Sequence, residues 1–81
     1  MAKTYMERAW YTVRSDACME EIEADTMDAA AVEFARGEGI KGVSDVASLL
    51  AAYRRLGGWV WIEPKDQPGL RQGSHIPEEM A

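Results

Sequence analysis

The run Gly57-Gly58-Trp59-Val60-Trp61-Ile62-Glu63-Pro64 constrains this chain more than any other stretch. A glycine pair, an alternation of aromatic and β-branched residues, and a proline spell a helix stop, a short strand and a strand stop. Side chains on a strand alternate between faces, so Trp59 and Trp61 point one way and Val60 and Ile62 the other. Both faces are apolar and both need cover, by helices on one side and by something else on the other. The cover must come from a short chain. Eighty-one residues make one domain, and a domain of that size buries only about 60% of its unfolded surface.

Residues 4 to 14 are rich in β-formers. Tyr5, Glu7, Ala9, Tyr11 and Val13 share the face expected in the core; Met6, Arg8, Trp10, Thr12 and Arg14 share the other. Ser15-Asp16 supplies turn chemistry, and residues 17 to 24 return as a second strand with Cys18, Ile22 and Ala24 inward and Met19, Glu21 and Glu23 outward. Glu20 falls in phase with the apolar set, which places it at a sheet edge or requires a bulge.

Asp25 or Thr26 caps a first helix with Asp28 in its opening turn. Its buried stripe is Met27, Ala30, Ala31, Phe34 and Ala35, and Gly37 is the expected stop. Residues 39 to 42 connect to a second helix, capped by Ser44 and running to about Leu56. Val46, Leu49, Leu50 and Tyr53 face inward, with Leu56 able to join them, and Ser48, Ala52, Arg54 and Arg55 face outward. Gly57 is its left-handed end. After Pro64 periodicity disappears. The expected architecture is α+β in the order β-β-α-α-β: a three-stranded antiparallel or mixed sheet with two helices on one face. Residues 1–63 form the domain and 64–81 an extended or partly disordered tail that Leu70 and Ile76 can anchor. Whether the last strand pairs with the first or the second is open.

Catalytic chemistry finds no scaffold. The single histidine, His75, lies in the tail, and the single cysteine, Cys18, lies inside a strand as a packing thiol, so no nucleophile-base arrangement assembles. The glycines of residues 37–42 link two helices and lack the Gly-Lys-Ser/Thr ending of a phosphate loop. Glu20, Glu21, Glu23 and Asp25 lack the loop of roughly twelve residues that cradles calcium. The expectation is a non-enzyme without metal or cofactor. One cysteine fits a reducing compartment. With no leader-like opening and no apolar run of about 18 residues, the expected location is cytoplasmic, away from membranes.

Two surfaces remain. Met6, Trp10, Trp59 and Trp61 gather on the face opposite the helices, as a homodimer interface or beneath the folded-back tail, unless a phase error makes some of them core. The second surface is acidic: Glu20, Glu21, Glu23, Asp25, Asp28 and Glu33. The net charge is −5, and residues 16–45 hold nine acids against Arg36 and Lys41, a local −7, while the remainder holds five acids against seven bases, +2. A solvated face explains many such runs. The near absence of bases over this stretch favours an interaction surface, one that repels nucleic acid and attracts basic protein.

A single-domain acidic chain with a hairpin followed by the alanine-rich start Asp25-Thr26-Met27-Asp28-Ala29-Ala30-Ala31 resembles small phage- or mobile-element-encoded inhibitors, anti-CRISPR proteins in particular. The resemblance covers the build of residues 4 to 63 and carries no motif, so it transfers no functional residue. It implies a protein that binds a CRISPR surveillance or effector complex in a bacterial cytoplasm and blocks DNA binding or cleavage without catalysis. The acidic residues 20 to 33 are then expected to dock on a basic, nucleic-acid-binding subunit. The alternative is a small phage or bacterial accessory module that binds a protein through the tryptophan face, its acids serving solubility.

Overall fold

A computed structural model describes residues 9–73. The elements are β1 (Ala9–Ser15), β2 (Met19–Ala24), α1 (Met27–Glu38), α2 (Val46–Arg55), β3 (Val60–Pro64), one 3-10 turn (Pro68–Leu70) and β4 (Gln72–Gly73). The sheet order is β2-β1-β3-β4, antiparallel throughout. The last long strand thus pairs with the first. The α+β class holds, with four strands where three were expected.

The hairpin turns through Asp16 and Ala17, and neither has positive φ. The turn therefore lacks the backbone of the usual two-residue hairpin types. Side chains hold it instead. The Ser15 Oγ accepts from the Ala17 and Cys18 amides at 3.1 and 3.2 Å. Asp16 lies so close to Gly58 that a Cβ there would fall 2.7 Å from its Oδ2, so any larger residue at 58 requires the Asp16 side chain to swing aside.

Thr26 is the cap of α1, its hydroxyl accepting from the Ala29 amide at 3.0 Å. The helix runs past Gly37 and ends at Gly39, φ 75°. There the Gly39 and Ile40 amides bond back to the Arg36 and Ala35 carbonyls at 3.2 and 2.9 Å. Either glycine can turn left-handed; the stop settles where Ile40 packs back on the core beside Ala35. Asp45, not Ser44, caps α2: its carboxylate accepts from the Ser48 amide at 2.8 Å while the Ser48 Oγ accepts from the Asp45 amide at 3.0 Å. That reciprocal pair is a capping box, which Ser44 has no partner to build. Ala52, expected outside, is buried because it faces the Gly39–Lys41 connector.

Val13 and Ile62 face each other in the central strand pair, and with Phe34 and Leu49 they have no exposed surface. The Phe34 and Tyr53 rings meet at 6.3 Å between centroids. Beyond Pro64, in the segment expected as an extended tail, the chain makes the 3-10 turn and returns as β4 beside β3. Gly73 makes that return possible: φ is 118°, and a Cβ would sit 2.6 Å from the Val60 carbonyl oxygen. A two-residue strand licensed by one glycine has no periodicity to reveal it. Met6, the first part of the residue 4–14 strand, His75 and Ile76 lie outside the described residues.

Truncating Phe34 to alanine removes the largest fully buried side chain and is expected to cost about 3–5 kcal/mol in urea unfolding. A second expectation concerns acid. Hydrogen bonds from the Ser48 backbone amide and hydroxyl hold the Asp45 carboxyl below its ordinary 3.8. The folded state thus releases this proton more readily than the unfolded chain. Its stabilisation is complete above about pH 4 and fades as pH falls through the lower folded value. Asp45→Asn keeps a capping oxygen without the charge, so its unfolding midpoint is expected to fall less steeply than wild type below pH 4.

Candidate functional site

The helices cover one face of the sheet and leave the other to be built from alternate residues of β1, β2 and β3. The register sets out its rows: Glu23 beside Trp10; Glu21, Thr12 and Glu63; Met19, Arg14 and Trp61. Lys65 continues this face past β3, its amide bonded to the Trp10 carbonyl at 2.8 Å.

The tryptophans do not form one exposed patch here. Trp61 keeps only 7% exposure because the Arg71 guanidinium lies 3.9 Å above its ring. Arg71 is held there by Glu63, Nε to Oε1 at 2.8 Å. The segment that returns as β4 thus covers one tryptophan with a cation that a carboxylate positions. Trp59 precedes β3 and is half-buried. Trp10 is 49% exposed and Met19 57%, but they stand at opposite ends of the hairpin, roughly 13 Å apart along the strands.

The acidic residues separate by role. Glu21 and Glu23 stand on the open face, Glu21 paired with Lys65 at 3.1 Å with both groups well exposed. Glu20 belongs to the helix-side row and is exposed because β2 is the outermost strand; the register from Ala9–Ala24 to Arg14–Met19 is unbroken, so no bulge is involved. Asp25 lies in the turn before α1, and both it and Glu23 have further interaction partners. Asp28 accepts from the Val46 amide at 2.9 Å, tying the first turns of the two helices together. Glu33 pairs with Arg36 one turn along α1 at 2.9 Å. The outward acidic face is therefore centred on β2, with Asp28 doing structural work.

At the turn end of the sheet Ser15, Cys18, Glu38 and Tyr53 converge. Loss of water raises the Cys18 thiol above its ordinary 9.0, a hydrogen bond with Ser15 opposes that, and the Glu38 carboxylate raises it further. Burial likewise raises Tyr53, against a hydrogen bond with Ser15, with Glu38 adding to the rise. Both groups are protonated near neutrality, which suits packing and not nucleophilic attack. The glycine-rich connector lines a shallow groove of about 360 Å³ with Val32, Ala35 and Arg36. It lies at the C-terminal end of α1, where the helix dipole disfavours an anion. Among the described residues no three His, Cys, Asp or Glu side chains group as metal ligands, and no helix is long and apolar enough to cross a membrane.

Arg71, Glu63 and Lys65, which decide what the open face exposes, carry no signal in sequence spacing. Their contacts exist only once the chain folds back. Compared with known protein families, curated proteins and solved structures, the chain matches none.

Arg71→Ala is expected to uncover Trp61: in a Trp10→Phe background, tryptophan emission shifts to the red and acrylamide quenching rises. The accompanying loss of stability is about 1 kcal/mol or less, because the Arg71 side chain is well exposed.

Proposed function

We propose that this chain is a non-enzymatic binding protein that presents its acidic outer strand to a basic, nucleic-acid-binding surface of a larger protein complex. The observation that carries the reading is the placement of charge. Between Arg14 and Arg36 the sequence has seven acids and no base, and three of them, Glu20, Glu21 and Glu23, stand on the strand at the edge of the sheet. Carboxylates on a rigid scaffold can occupy an Arg/Lys groove that otherwise takes phosphates, and long-range attraction speeds their arrival. The specific form implied by the resemblance to anti-CRISPR proteins is an inhibitor that occupies the DNA-binding surface of a CRISPR surveillance or effector complex in a bacterial cytoplasm. Asp28 and Glu33 contribute less in this reading, since Asp28 accepts from the Val46 amide at the start of α2 and Glu33 pairs along its own helix.

A second reading has its own observation. Trp10 is half-exposed on the open face, and an exposed tryptophan is a preferred anchor for a protein partner or a second copy. In that case the acids maintain solubility and the complex is insensitive to salt.

The purified chain is to be mixed with candidate surveillance complexes across a salt series. The expected outcome is a stable complex that excludes target DNA, weakens steeply as salt rises, and loses about tenfold or more in affinity in Glu21→Lys/Glu23→Lys with the fold intact. Unchanged affinity in that variant removes the acidic strand from the mechanism. A salt-insensitive complex abolished by Trp10→Ala supports the second reading.

A further inference from the structure

β2 pairs with β1 along its whole length, and no described strand lies on its other side. In an antiparallel ladder, residues alternate between those that bond to the neighbour and those whose amide and carbonyl point away. The Ser15 amide donates to the Cys18 carbonyl at 2.8 Å, which sets the phase. Glu20, Ile22 and Ala24 bond to β1; Met19 and Glu21, with Glu23 next in phase, direct their backbone groups outward.

Proteins protect such an edge with lysine, proline, a bulge or a very short strand. β2 has six residues, a continuous register, no proline and no lysine. Its guard is carboxylate, and a carboxylate guard is selective. Antiparallel pairing brings residues of one face opposite each other. Every register of β2 against a second β2 that pairs more than one residue sets a glutamate against a glutamate, as Glu20–Glu20, Glu21–Glu21, Glu21–Glu23 or Glu23–Glu23. Like charges in those positions destabilise a pair and opposite charges stabilise it. The same edge therefore rejects its own copy and accepts a strand with Lys or Arg at alternate positions. On the helix side Ile22 is only partly buried against the core and offers an apolar contact to the partner's alternate residues, on the face opposite Glu21 and Glu23.

We infer that β2 is a strand-addition edge: it takes up an extended segment of a partner protein in which basic and apolar residues alternate, through backbone hydrogen bonds to Met19 and Glu21 and charge pairing with Glu21 and Glu23 on the open face. This rests on the reading of the acidic strand as the docking surface and specifies how the partner is held. Main-chain bonds supply affinity in this mode, and alternate side chains supply specificity.

The test uses the full chain labelled with 15N and three synthetic probes of about seven residues: an alternating Lys-Val peptide, the same peptide N-methylated on alternate amides, and a Lys-Gly peptide of equal charge. The Lys-Val peptide is expected to shift the Met19 and Glu21 amide signals and slow their hydrogen exchange. The N-methylated and Lys-Gly peptides are expected to bind about tenfold or more weakly. Glu20→Gln/Glu21→Gln/Glu23→Gln is expected to weaken the Lys-Val peptide similarly, with its circular dichroism unchanged. Equal binding of all three probes overturns strand addition while leaving acidic docking in place; no binding of any of them counts against both. Met19 and Glu21 amides already protected in the free chain also overturn the inference. Protection independent of concentration assigns the edge to another segment of this chain, and concentration-dependent protection assigns it to a second copy.

Discussion

The pairing of β1 with β3 is the interaction on which everything else in this domain depends. It brings Val13 opposite Ile62, and both are closed from water by Phe34 and Leu49 above them. Of the pair, β3 is buried on both faces from Val60 to Glu63, which is why the chain commits tryptophan to one face of it and β-branched residues to the other. The helices cover the Val60 and Ile62 side. On the Trp61 side cover comes from Arg71, a cation seated on the ring and oriented by Glu63. Removing water from an aromatic face with a guanidinium held by a carboxylate leaves that surface polar at its rim, and so suited to an outside that remains wet.

The same pairing determines where the charge goes. With β1 and β3 in the centre, β2 is pushed to the edge, and the acids it carries become the outermost groups of the sheet. Two of the acids on α1 are engaged by the scaffold: Asp28 accepts from the first amide of α2, and Glu33 answers Arg36. A local excess of negative charge is thereby divided into a structural part and an outward part. An edge strand guarded by glutamate instead of lysine discriminates by charge, which links the electrostatics of the proposed function to its geometry.

The two apolar surfaces differ in a way that composition hides. Trp61 and Trp10 occupy the same face of neighbouring strands, yet one is buried and the other half-exposed. The difference is the returning segment Pro68–Gly73, which lies along β3. A face of four clustered apolar side chains would demand a partner. Among the described residues its exposed large apolar side chains are Trp10 and Met19, at opposite ends of the hairpin and separated by the Glu21–Lys65 pair and Arg14.

Local periodicity in the sequence was enough to establish the hairpin, both helices, the strand after the glycine pair, the helix-side core of Val13, Phe34, Leu49 and Ile62, and the concentration of acid in the middle of the chain. Each of these depends on side chains a few residues apart, at spacings that the backbone geometry of helices and strands imposes. Helix ends were legible only to within two residues, because neighbouring glycines or capping residues can each serve, and packing of Ile40 or reciprocity between Asp45 and Ser48 chooses among them. The tertiary structure alone decided that β3 joins β1, that β2 is the edge, that Gly73 lets the chain return as β4, and that Arg71 closes over Trp61. Those outcomes rest on contacts between residues distant in sequence, formed only after the chain has closed on itself, and no local spacing encodes them.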